Sequence, residues 1–367
     1  MLFTQSHRRG YCWARPLPGG RLRRRLSAFF PALLPILLAV CVTSAGCWCR
    51  SGPEVVVYTA LDSEFCEPIL ADFTRETGIM ARAKLDTEST KTVGLAEAIL
   101  AEAQRPRCDV FWNNEILNTL RLQQRGLLEV YPCPAARDYP AEYRSPQGTW
   151  HGFAARARVL VVNTDLLPEG RRPESVEDLA DPKWRGKAGI AKPLFGTTAT
   201  HAACLFAYWG DDRAMKFFQQ LKANDVKILS GNKQVALSVA AGQLAFGLTD
   251  TDDAIIEQEK GLPIAIVYPD QAPDDMGTLF IPNTVAIIRG GPNPESARRL
   301  VDYLLAPGVE AKLAAGPSAQ IPLNRTVDAA VRVATPRSVK AMPVDFEAAA
   351  AKWDTAAKFL RDRFTGG

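Results

Sequence analysis

Val55-Val56-Val57-Tyr58-Thr59-Ala60-Leu61-Asp62-Ser63 decides the fold. A β-branched run after Gly52-Pro53 predicts a strand buried on both faces, as in a parallel sheet. The polar turn at 59–63 leads into a helix with apolar positions Phe65, Ile69, Leu70 and Phe73, closed by Gly78. The same unit then recurs. A strand at 79–85 ends in the polar loop Asp86-Thr87-Glu88-Ser89-Thr90 and a helix. A third strand, Cys108-Asp109-Val110-Phe111-Trp112, delivers Asn113-Asn114-Glu115 and a helix stopped at Gly126. Open parallel sheets bind ligands outside the carboxyl ends of their strands, so the three polar loops are expected on one rim.

Further along, 150–163 predicts a long strand with Arg156 and Arg158 on one side at period two. Gly196-Thr197-Thr198 opens a helix and offers backbone N–H groups and hydroxyls as an anion seat, or else an ordinary helix start. Gly247-Leu248-Thr249-Asp250-Thr251-Asp252-Asp253-Ala254 follows an apolar strand and holds three carboxylates and two hydroxyls within five positions. A strand at 279–289 contains Pro282, whose bend is expected to mark a crossing between halves. Phe346, Ala349, Ala350, Trp353, Ala356, Ala357, Leu360 and Phe364 form one apolar stripe, a docking face on a last helix.

The 367 residues exceed one ordinary core and suit two lobes. Net charge is +4, but eight of the 44 basic residues, all Arg, lie in the first 50 positions beside no acid. The remaining 36 face 40 acidic residues, a net of −4, which argues against nucleic acid as a partner. Residues 1–50 run basic, apolar, small: an export signal, with a single-pass anchor as the alternative. Ser44-Ala45-Gly46-Cys47 resembles a lipoprotein box, so the expected location is the periplasm or an extracytoplasmic membrane surface held through lipid on Cys47. Cys66, Cys108, Cys133 and Cys204 fit no metal spacing and are either one disulfide, in any of three pairings, or buried thiols.

No nucleophile elbow or Walker loop is present, and His151 and His201 lack zinc-site spacing. The Asp cluster reads as an acid/base pair, a metal site or solvated surface.

Taken together, 54–324 resembles the periplasmic solute-binding proteins of ABC importers, in the ferric-ion-binding branch. The carrying pieces are Val57 to Asp62, Glu76-Thr77-Gly78-Ile79, Asp109-Val110-Phe111-Trp112, Gly126-Leu127-Leu128, Arg156 to Asn163 and Asp181-Pro182-Lys183-Trp184-Arg185-Gly186-Lys187. Val235-Ala236-Leu237, Gly242-Gln243-Leu244 and Ala297 to Leu305 continue the order. The resemblance implies an α/β clamshell of two lobes with mixed, mostly parallel sheets and a hinge of crossing strands. The lobes would be 53–155 with 283–332, and 156–282 with 333–367. It implies a binding protein rather than an enzyme, a monomer that hands a small ligand to an inner-membrane permease. The implied cleft takes Tyr58, Thr59, Asp62, Ser89, Thr90, Asn114, Glu115, Arg156, Arg158, Gly196, Thr197, Thr198, Thr251, Asp252 and Asp253. Iron relatives carry adjacent tyrosines where this chain has Thr251-Asp252 or Asp252-Asp253. Two cargoes follow. One is Fe³⁺ on Asp62, Glu115, Asp252 and Asp253 with a synergistic anion at Thr197-Thr198. The other is an organic anion or zwitterion such as an aminoalkylphosphonate. An exported enzyme on this fold is a third reading.

Overall fold

The computed structural model describes residues 52–86 and 91–366. The stretch 1–50 expected to be an export signal, with Cys47, and also Ser89 and Thr90 lie outside the described residues. The chain runs β1 (Glu54–Thr59), α1 (Ser63–Thr77), β2 (Met80–Leu85), α2 (Val93–Ala101), β3 (Val110–Asn113) and α3 (Leu117–Gln124). It continues through β4 (His151–Asn163), β5 (Ala188–Ala191), α4 (Gly196–Trp209), α5 (Asp211–Ala223), β6 (Lys227–Leu229) and α6 (Asn232–Ala240). Then come β7 (Phe246–Asp250), α7 (Thr251–Glu259), β8 (Ile264–Val267), β9 (Phe280–Ile287), α8 (Pro294–Leu304), α9 (Pro307–Ala315) and α10 (Phe346–Phe359).

One continuous sheet path has the order β2-β1-β3-β9-β4-β7-β5-β6, with β8 also paired to β4. The predicted strand–turn–helix units form as expected: β1 lies parallel to β2 and β3, and β5 parallel to β6 and β7. Only these outer pairs are parallel. β9 runs antiparallel to β3, and β4 antiparallel to β7, β8 and β9. Each half of the sheet therefore mixes both directions, with parallel pairs around β1 and β5 and antiparallel pairs to the long strands β4 and β9 that link the halves, less parallel than the sequence suggests. Two apolar layers cover its faces. Leu160 and Val162 of β4 enter one, and Val159 and Val161 the other, following the period of two.

All thirteen residues of β4 are buried. Its pairing to β9 slips between Phe153 and Arg156, opposite Pro282, which has no N–H to give the ladder. Ala154 takes φ 45 in this bulge. Buried Glu310 accepts its N–H at 2.6 Å. α10 packs on α4, with Phe359 and Phe206 rings 6.0 Å apart, and reaches α3, where Arg121 sits 5.2 Å over Trp353. The apolar stripe is thus a docking face.

The cysteines resolve as thiols. Cys66, Cys108, Cys133 and Cys204 are all free and buried. Burial pushes the Cys66 and Cys133 thiols up to about 12, so they are inert. Among the described residues no helix is long and apolar enough to cross a membrane.

Candidate functional site

A cleft of about 600 Å³ opens along the carboxyl ends of β1, β5 and β7, the rim expected from strand polarity. Its second-half wall is a connected network. Arg158 and Asp250 face each other across β4 and β7 and make an ion pair of 2.6 Å with the guanidinium fully buried. The same guanidinium donates to Thr197 Oγ1 and Thr198 Oγ1, both at 3.2 Å, and to Asn232 Oδ1 at 3.1 Å. Thr197 donates to Asp250 Oδ2 at 2.5 Å, and Asn232 Nδ2 donates to the same oxygen at 2.9 Å. These hydroxyls are thus spent inside the protein. What α4 leaves for a ligand is its backbone. Phe195 at its N-cap provides no side-chain cap, and Gly196 enters at φ 57, leaving the N–H groups of the first turn for a ligand or water. Gly196 N–H itself donates to Lys91 C=O at 3.1 Å. Exposed Lys192, with Nζ 6.0 Å over the Phe195 ring, adds positive charge beside this helix start.

The floor is acidic. Asp250, Asp252 and Asp253 can each turn an oxygen to within 4.8 Å of the others'. Arg156 donates to Asp252 Oδ2 at 2.9 Å, to Asn283 Oδ1 at 3.0 Å, and to the Asn114 carbonyl. Asp252 Oδ1 and Asn114 Oδ1 are buried with no hydrogen-bond partner. Asp253 lies partly buried beside them. Burial, then the Asp252 charge, holds its carboxyl well above the usual carboxylate range. Asp252 is also raised, by burial, with Arg156 opposing the shift. Burial disfavours a charged Arg156, but Asp252 and Asp250 outweigh it and keep the guanidinium ionised. The floor therefore presents acceptor oxygens that lack donors, and the α4 wall presents donors. From the first half, Asp62 reaches the cleft from the N-cap of α1, paired to Lys91 Nζ at 2.7 Å.

Asp62, Asn114, Arg156, Gly196, Thr197, Thr198, Asp252 and Asp253 all line this cleft. Other expected residues do not reach it. The buried Tyr58 hydroxyl donates to Glu102 at 3.0 Å, on the far side of its strand. Thr59 Oγ1 accepts the Leu61 N–H at 3.2 Å and shapes the turn. Thr251 Oγ1 accepts the Ala157 N–H at 3.1 Å, a bond that pins α7 to β4. Arg158 lies beneath the floor. Glu115, expected as a metal ligand, is fully buried away from the cleft, where its carboxylate caps α3 through Leu117 N–H at 2.5 Å and Asn118 N–H at 3.0 Å. A carboxylate two residues ahead of a helix finds free N–H groups at once, which local sequence favours over a metal. Asp250, read with the acidic cluster but not among the expected ligand contacts, also lines the cleft, and Asn232, Lys91 and Lys192 line it without having been singled out for binding. Gly231-Asn232 opens α6 after β6, the same strand-to-helix signal that marked Gly196.

A family model of bacterial extracellular solute-binding proteins matches residues 118–352. The chain belongs to this family. Such proteins bind substrates and work outside the cytoplasm, in the periplasm, as the capture component of importers. Similar proteins include the iron uptake protein A1 of Synechocystis, 26% identical over 75% of this chain and 78% of that one. The major ferric iron-binding protein of Neisseria meningitidis is 26% identical over 78% of this chain and 85% of its own. Among solved structures, iron-bound HitA of Pseudomonas aeruginosa superposes at TM-score 0.76, 23% identical, covering 84% of this chain and 99% of HitA. The periplasmic binding protein AfuA of Actinobacillus pleuropneumoniae, solved with fructose-6-phosphate, gives 0.77 at 22% identity, covering 86% and 100%. The two-lobe periplasmic-binding-protein fold of these neighbours is the fold of this chain.

Proposed function

We propose that this solute-binding protein captures ferric iron with a synergistic anion and hands it to an ABC permease in the inner membrane. Asp62, Asp252 and Asp253 would supply the hard oxygen donors, with Asp250 behind them. The anion would sit on the α4 N–H groups beside Lys192. The observation that carries this reading is the buried, donor-free Asp252 Oδ1 within a group of three carboxylates. An acceptor buried without a partner costs stability unless a ligand satisfies it. The iron-binding relatives support the same cargo. The two lobes, 53–155 with 283–332 and 156–282 with 333–367, would close about β4 and β9. Residues 1–50 would direct export of a monomer, with lipid on Cys47 as its membrane tether.

A second reading is favoured by the size of the cleft. About 600 Å³ exceeds the needs of one ion and one small anion, and Arg156 and Arg158 already neutralise Asp252 and Asp250. A phosphate- or phosphonate-bearing organic molecule would seat its anion at α4 and give hydroxyl or ammonium donors to Asp252, Asp253 and Asn114. A thermal-shift screen of the exported body separates the two, because a ligand of the folded state raises its melting temperature. Ferric citrate shifting the transition, with fructose-6-phosphate and 2-aminoethylphosphonate silent, supports iron. The reverse pattern sinks it.

A further inference from the structure

Glu115 sits outside the cleft, yet it joins the two halves of the molecule. Its carboxylate accepts four hydrogen bonds. Three are local: Asn113 Nδ2 at 2.7 Å and the two N–H groups that open α3. The fourth comes from Thr200 Oγ1 of α4, at 2.8 Å. Thr200 is buried one turn below Thr197 and Gly196, so this bond fixes the helix whose N-terminus lines the cleft. Among the described residues, other polar contacts between the halves are of different kinds. From its place on the crossing strand β4, Arg156 donates to the Asn114 carbonyl and to Asn283 Oδ1. Lys91 C=O takes the Gly196 N–H, and Lys233 meets Glu64 at 3.5 Å with both side chains more than half exposed. An exposed pair of that sort holds little, whereas a hydrogen bond to a charged acceptor shielded from water holds more.

We infer that Glu115–Thr200 is a buried latch, made when the halves close on cargo, and that Thr200 is the positioning residue that sets how long cargo is retained. The inference rests on the reading that the cleft closes around a solute. The chemistry allows the latch to open without leaving an orphan. When Thr200 withdraws, Glu115 keeps three donors, and the hydroxyl passes to water. A carboxylate satisfied only by Thr200 would resist opening; this one does not, because its own half already holds it.

The test is Thr200→Val, which removes the hydroxyl and keeps the side-chain shape, with Thr200→Ser as the rescue. Ferric citrate and fructose-6-phosphate are the probes for stopped-flow binding. The latch predicts dissociation about tenfold faster in Thr200→Val, an unchanged association rate, an unchanged melting temperature without ligand, and recovery in Thr200→Ser. A lower ligand-free melting temperature with unchanged dissociation overturns it, since the bond would then be a standing part of the core. If the wild type binds neither probe, the cargo reading fails by itself. The latch is then judged on ligand-free protein spin-labelled at Glu67→Cys and Gln219→Cys. A smaller closed population in Thr200→Val supports the latch, and identical distance distributions overturn it.

Discussion

The two walls of the cleft are built differently. On the second-half wall, Arg158, Asp250, Thr197, Thr198 and Asn232 hold one another in a connected set of hydrogen bonds, with Arg158 wholly buried and only its Nε left without a partner. On the first-half wall, Asp62 meets Lys91 in a pair with the carboxylate 40% exposed, and Asn114 Oδ1 has no partner at all. One wall is set before cargo arrives. The other has bonds still to make. A clamshell can use this asymmetry, because a wall whose groups already hold one another orients the ligand, and a wall with vacancies gains from closing on it.

Breaking the preset wall gives the largest effect. Arg158→Met leaves Asp250 buried without its cation and is expected to cost roughly 3–5 kcal/mol, read as a lower urea midpoint. Adding Asp250→Asn in the same chain should recover much of that loss. If the single variant unfolds like the wild type, the network is not what fixes this wall. Next comes the floor between the walls. Asp252→Asn removes the negative charge that Arg156 and cargo share and turns one acceptor oxygen into a donor, and binding of whichever probe the wild type takes should weaken on the order of 100-fold in calorimetry. Asp62→Ala tests the open wall. Its partly solvated pair makes little difference to folding, within about 0.5 kcal/mol, so any effect should fall on binding alone and be less than tenfold. A large stability loss there would mean that the first-half wall is preset as well.

The sequence carried the fold further than the site. Apolar runs ending in polar loops identified β1, β3 and β7, since strand burial and turn chemistry are local signals. Pro282 also marked a true irregularity, the β4 bulge that faces it. The antiparallel centre was not legible, because which strands pair is decided by contacts such as Val110 with Ile287, far apart in the chain. Within the site, position on the rim was legible and direction was not. Thr251 and Asp252 are neighbours, yet one hydroxyl turns to β4 and the other side chain to the cleft. Glu115 misled for a related reason: the start of α3, two residues on, offered its carboxylate nearer partners than any ligand. Asn232 was missed since a single amide gives no cluster to notice.

Asp253 makes the smallest prediction and the sharpest, since it stands beside the preset wall without belonging to it. Asp250 and Asp252 each have an arginine; Asp253 has burial and the charge of Asp252 against it, and its carboxyl stays protonated well above its ordinary 3.8. The unfolded chain ionises near that ordinary value. A folded-state pKa above the unfolded one means stability is full below the unfolded value and is lost as pH climbs toward the raised one. Asp253→Asn imitates the protonated form, so the ligand-free variant should melt a few degrees higher at pH 7 and depend less on pH across that window. Cation capture needs the ionised carboxylate and should weaken in the same variant. Opposite signs for stability and binding mark a group held ready for cargo. A fall in both would make Asp253 a structural residue and remove one donor from the proposed iron site.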